Sequence, residues 1–96
     1  MLIEAPYTIG DTVSIKLSSG EEIIARLEAE SGDKITVVKP LMLVVQQQGM
    51  GLAPYMFTVN HDNKYTLNMQ NIICVAKTEK SMASQYIEKT TGLTVQ

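Results

Sequence analysis

The sequence predicts an all-β domain, a strongly bent five-stranded antiparallel sheet forming a small open barrel, followed by a C-terminal α-helix. Three observations predict it. Apolar and polar residues alternate with a period of two over Thr12–Ser18 and again over Glu22–Glu30. Turn residues recur at short intervals, at Ser19-Gly20, Ser31-Gly32-Asp33 and Asn60-His61-Asp62-Asn63. The pattern changes only after residue 77, where apolar pairs appear at helical spacing.

Thr12-Val13-Ser14-Ile15-Lys16-Leu17-Ser18 is a half-buried strand by its alternation. Ser19-Gly20-Glu21 turns it into a hairpin. The return strand, Glu22 to Glu30, sets Ile23, Ala25, Leu27 and Ala29 on one face and Ile24, Arg26, Glu28 and Glu30 on the other. Glu21–Glu30 is also rich in good helix formers. The flanking turns and neighbouring strands favour the hairpin over that helix. After Ser31-Gly32-Asp33-Lys34, β-branched residues mark Ile35–Lys39 as a strand. Pro40 cannot donate a ladder hydrogen bond, so the strand must bend, bulge or lie at an edge there. Leu41–Gln46 continues it, apolar on both faces, and both faces should therefore be covered, one of them by a neighbouring subunit if the chain assembles.

Gln46 to Pro54 carries two glycines and a proline and reads as a loop. Its amides, with Tyr55 beside them, are either a second contact face for single-stranded nucleic acid or a surface loop of variable length. Tyr55–Val59 is a strand by its aromatic and β-branched content. Lys64–Leu67 and Asn71–Ala76 are the last strands, joined by a corner at Asn68-Met69-Gln70. Met82 with Tyr86 and Ala83 with Ile87 then define a helix of about residues 79–91. Thr78 or Ser81 is the expected cap at its start, and Gly92, with Leu93 folding back, the expected stop. Residues 1–96 form one domain, with the barrel at about 11–76.

Composition narrows the function. The charged fraction is 19%, the hydrophobic fraction 45% and the formal net charge −2. Disorder needs lower hydrophobicity and a larger charge. A duplex-DNA binder needs a basic excess that is missing here, so any nucleic-acid contact must be local and partly neutral. Cys74 is the one cysteine and His61 the one histidine. No internal disulfide can form, which fits a reducing, cytoplasmic setting. MLIEAPYTIGD lacks a basic region followed by an apolar run, so no signal peptide is expected, and no apolar run is long enough to span a bilayer.

Catalytic groups are not expected. Cys74 falls in an apolar strand, where a core filler outweighs a nucleophile paired with His61. His61 reads as a solvated turn residue. Too few Cys and His are present for tetrahedral zinc, so neither a metal nor another cofactor is expected. Gly49-Met50-Gly51 lacks the lysine and following helix of a phosphate loop. The acidic residues at Glu21-Glu22 and Glu28–Glu30 read as a solvated face rather than an acid–base pair.

The order of elements reaches a known family at two segments. Val13-Ser14-Ile15-Lys16-Leu17-Ser18-Ser19-Gly20-Glu21-Glu22-Ile23-Ile24-Ala25-Arg26-Leu27 resembles the first motif of the Sm and LSm proteins: an alternating strand, a glycine turn, then a small residue two places before an aliphatic one. Ala25 stands where the family usually has glycine, and Leu27 matches the aliphatic position. Leu67-Asn68-Met69-Gln70-Asn71-Ile72-Ile73-Cys74-Val75 resembles the second motif, with Asn68 and Met69 in place of its Arg-Gly pair. The chain is most similar to the divergent Sm-like proteins of marine phages, cyanophages in particular. It differs from the family in placing its helix at the C-terminus instead of the N-terminus.

The resemblance covers roughly residues 11 to 76. It implies an Sm-like, SH3-type barrel in a homo-oligomeric ring of roughly five to seven subunits. It also implies RNA or single-stranded DNA bound at loops lining the pore, within the host cytoplasm if the chain is phage-encoded. Carried over residue by residue, the implied nucleic-acid site is Asp33 and Lys34 in one turn and Asn68, Met69 and Gln70 in the other. Lys34 falls near the family's base-reading Asn, with no aromatic beside it to stack; its ammonium suits a phosphate. The amides of Asn68 and Gln70 suit base edges, and the Met69 sulfur suits a base face. Each residue has a plainer role open to it: Asp33 as a turn former, Asn68 and Gln70 as backbone partners at a corner, Met69 as core. A structural or protein-binding ring and a monomeric SH3-like adaptor are the alternatives to a nucleic-acid-binding ring.

Overall fold

A computed structural model describes residues 7–60 and 62–91. Six strands and one helix follow in order: β1 (Thr12–Leu17), β2 (Glu22–Glu30), β3 (Lys34–Gln46), β4 (Gly49–Pro54), β5 (Lys64–Asn68), β6 (Ile72–Lys77) and α1 (Lys80–Thr91). A three-residue 3-10 turn, Met69–Asn71, joins β5 to β6. The strands make one antiparallel sheet in the order β4-β3-β2-β1-β6, with β5 also paired to β3. The sheet is bent but does not close, and β4 and β6 stand at its two ends.

The hairpin of β1 and β2 follows from its sequence pattern. Gly20 adopts a φ of 111°, a conformation that a Cβ would strain, and the Leu17 and Glu21 backbones bond across the turn at 2.8 Å. Val13, Ile15 and Leu17 alternate inward and meet Ile23, Ala25 and Leu27, then Ile35, Val37 and Tyr65, in the main core. Ala29 is exposed: the β2–β3 register slips between Leu27 and Ala29, which ends the alternation there.

The opposite face of β2 and β3 carries a second, smaller core. Ile24 and Leu41 meet Tyr86 of α1, with Leu52 and Met82 packed around them. The kink expected at Pro40 is a bulge, where Lys39 and Pro40 together oppose Ala25 and Lys39 takes a φ of 53°. This bend lets β3 pair with β5 through residues 34–38 and with β4 through residues 41–46.

Several expectations are corrected. Gln46–Pro54 is a hairpin, not a loop: Gly49 at a φ of 132° turns the chain, and Gly49–Pro54 pairs with Leu41–Gln46. The sheet therefore has six strands where five were expected, with Gly49–Pro54 gained as a strand and Tyr55–Val59 lost. Tyr55–Val59 is irregular, because Tyr55 and Val59 anchor on the main core while Phe57 points out, 82% exposed. The apolar run of β3 is covered at its start, where Leu41 is buried in the second core and Met42 packs against the main one, while Val45 at its far end is 80% exposed. Cys74 is exposed rather than a core filler, because it stands opposite Lys16, on the face of the sheet away from Val13, Ile15 and Leu17. Neither Thr78 nor Ser81 caps α1. The Glu79 carboxylate does, accepting from the Ser81 and Met82 backbones at 2.7 and 3.1 Å. Thr78 is instead buried beside Ser14, their hydroxyls 2.9 Å apart.

His61, Gly92 and Leu93 lie outside the described residues. From Pro40 to Asn60 the chain carries no Asp, Glu, Lys or Arg. Among the described residues no helix is long and apolar enough to cross a membrane.

Candidate nucleic-acid interface

The turn between β2 and β3 and the corner between β5 and β6 lie far apart in sequence and side by side in the fold. Antiparallel pairing of β3 with β5 puts Lys34 opposite Asn68. One residue further on, the Met69 backbone N–H donates to the Asp33 carbonyl at 2.9 Å. On its other flank the corner is tied to the β1–β2 turn, where the Ser18 N–H donates to the Asn71 carbonyl at 2.8 Å. The 3-10 turn is thus held from both sides, and all five sequence-predicted residues fall on one continuous shelf.

The five differ in what they leave available. Asp33, Lys34, Asn68 and Gln70 are exposed. Neither Asp33 nor Lys34 is ion-paired among the described residues. The Asn68 side chain is partly committed to the fold, since its Oδ1 accepts from the Gln70 backbone at 3.1 Å and caps the 3-10 turn. That bond orients the side chain and leaves Nδ2 to donate outward. Met69 is half-buried and packs against the main core, so it offers a ligand part of its surface at most.

An open depression of about 400 Å³ adjoins the shelf, lined by Leu17, Ser18, Ser19, Tyr55, Thr66, Leu67, Asn68 and Asn71. The Ser19 hydroxyl donates to the Glu21 carboxylate, and this bond holds the Glu21 carboxyl below its ordinary value. Ser18, Ser19, Thr66 and Asn71 carry no sequence signal of their own. Ser18 and Ser19 read as turn residues and Asn71 as a strand start; only the pairing of β3 with β5 and the Ser18–Asn71 bond bring them together. Tyr55 is the one lining residue outside the shelf whose contact role the sequence suggests.

No group of three or more His, Cys, Asp or Glu among the described residues is placed to hold a metal ion. The shelf therefore offers hydrogen bonds, one free ammonium group and a partly exposed thioether.

Neither a protein-family model nor a curated protein matches the chain.

Proposed function

We propose that this protein is an Sm-like, ring-forming binder of single-stranded nucleic acid, RNA first, acting in RNA or DNA processing in the cytoplasm and carrying out no catalysis of its own. One observation carries the reading. The β2–β3 turn and the β5–β6 corner, distant in sequence, share one surface on which Lys34 faces Asn68. Repeated around a ring, that shelf would present one ammonium and paired amides per subunit to a strand. The ends of the sheet are where copies would meet: among the described residues β4 and β6 each have one edge unpaired. Joining β6 of one copy to the opposite edge of the next is a head-to-tail contact, which closes when the rotation allows.

Fluorescence anisotropy with short labelled RNA and DNA homo-oligomers at low salt tests the binding. Lys34→Ala should weaken binding of every sequence, by roughly twofold to tenfold, and lower the slope of log affinity against log salt by about 1. An assembled protein that binds none of the oligomers refutes the proposal.

A protein-binding ring is the second reading, and the uncharged stretch from Pro40 to Asn60, with exposed Val45, Met50 and Phe57, favours it. A protein partner that stays bound through nuclease treatment would select it.

A further inference from the structure

We infer that the depression beside Asn68 is a pocket for a single nucleobase, which lies against Tyr55 while Asn71 and the neighbouring hydroxyls read its edge. The inference rests on the nucleic-acid reading and deepens it. Three chain segments converge there: the β1–β2 turn with Ser18 and Ser19, the start of the irregular segment with Tyr55, and β5 with its corner, bringing Thr66, Asn68 and Asn71. The side chains of Ser18, Thr66 and Asn71 and the Tyr55 hydroxyl have no hydrogen-bond partner among the described residues. They are therefore open to a ligand.

Charge decides which part of a nucleotide enters. No Lys or Arg lines the depression, and the Glu21 carboxylate stands behind Ser19. A phosphate brought there would meet a negative charge with no cation to offset it. An uncharged ring that both donates and accepts suits amides and hydroxyls. Tyr55 is fixed by packing against the main core, which makes its ring a wall of settled orientation for stacking. The nucleotide's phosphate then falls outside, toward the shelf where Lys34 faces Asn68.

Two variants of the full-length protein test this against oligo(U) and oligo(C). Asn71→Asp replaces a group that donates and accepts with one that only accepts. Cytosine offers an amino donor where uracil offers a carbonyl acceptor. The ratio of affinities should therefore move toward oligo(C) by about fivefold or more, while Lys34→Ala leaves the ratio unchanged. The chain contains no tryptophan, so Tyr55→Trp places a single indole in the depression, and its emission should be quenched as either oligomer binds. An unmoved ratio, or an indole unaffected while anisotropy reports binding, overturns the pocket alone. Absence of binding by the unsubstituted protein overturns the pocket together with the proposed function.

Discussion

Tyr86 joins the bend of the sheet to the helix through one hydrogen bond. Its hydroxyl donates to the Lys39 carbonyl at 2.7 Å, with the Val38 oxygen 3.3 Å away. At the bulge the ladder is interrupted, so a buried carbonyl there needs a partner from elsewhere. Tyr86→Phe keeps the ring in the second core and strands that acceptor. Urea unfolding should show a loss of about 1–3 kcal/mol. Burial raises the Tyr86 phenol from about 10 to about 12. The folded chain therefore holds a proton that the unfolded chain gives up between those values. Stability is intact below pH 10 and falls as pH rises to 12. Burial also raises the Tyr7 phenol, so a phenolate absorbance titration should show a late-titrating component that shrinks in Tyr86→Phe. The pairing of Met82 with Tyr86 is legible from spacing; the bond to Lys39 is not, because it depends on a left-handed residue before Pro40 that no local pattern announces. Cys74 misleads for a related reason. Its apolar neighbours suggest burial, but the register sets it opposite Lys16, on the face away from the main core.

The start of α1 shows how a cap is chosen by tertiary context. Thr78 and Ser81 are the better capping types, yet Thr78 is drawn into the sheet by Ser14 and the Thr12 carbonyl, which accepts the Thr78 N–H at 3.1 Å. Glu79 is left to meet the first free N–H groups. Its carboxyl sits below the ordinary carboxylate value, first through the Ser81 hydroxyl and then through the Met82 N–H. The sign follows: the cap is at full strength above the ordinary carboxylate pKa and is lost as pH falls through the lowered one. Helical circular dichroism should decline in acid in the native chain, and Glu79→Gln should remove much of that pH dependence. Strands β1, β2 and β3 are readable from sequence because alternation and turn glycines agree. The β4 hairpin is not: its two glycines and proline look like a loop, and it becomes a strand because the apolar residues of β3 give it a partner. Both halves of the shelf are legible as turns, but their contact is set by the β3–β5 register.

At the scale of the molecule, the protomer leaves unfinished surface at the ends of its sheet. Ile73 on β6 is 65% exposed and Val45 on β3 is 80% exposed. Isolated sheets protect such edges with charge, proline or cover. If the β6 edge joins copies, Ile73→Lys should lower the solution mass measured by light scattering to that of one protomer, with the circular dichroism of the fold retained. An unchanged mass would place the contact elsewhere. The bent sheet and terminal helix follow from the chain's own pattern, whereas any assembly would depend on how the surfaces of two copies fit, which no local pattern announces.

If copies meet through β4 and a strand binds at Lys34, as proposed, the uncharged run through β4 and its flanks would give assembly and ligand loading opposite responses to electrolytes. Surfaces without ions have little for sodium chloride to screen, and cohesion between them strengthens in sulfate. Counterion release at Lys34 would make the proposed hold on a strand slacken in the same media. An empty, intact assembly should therefore be recoverable simply by raising ionic strength.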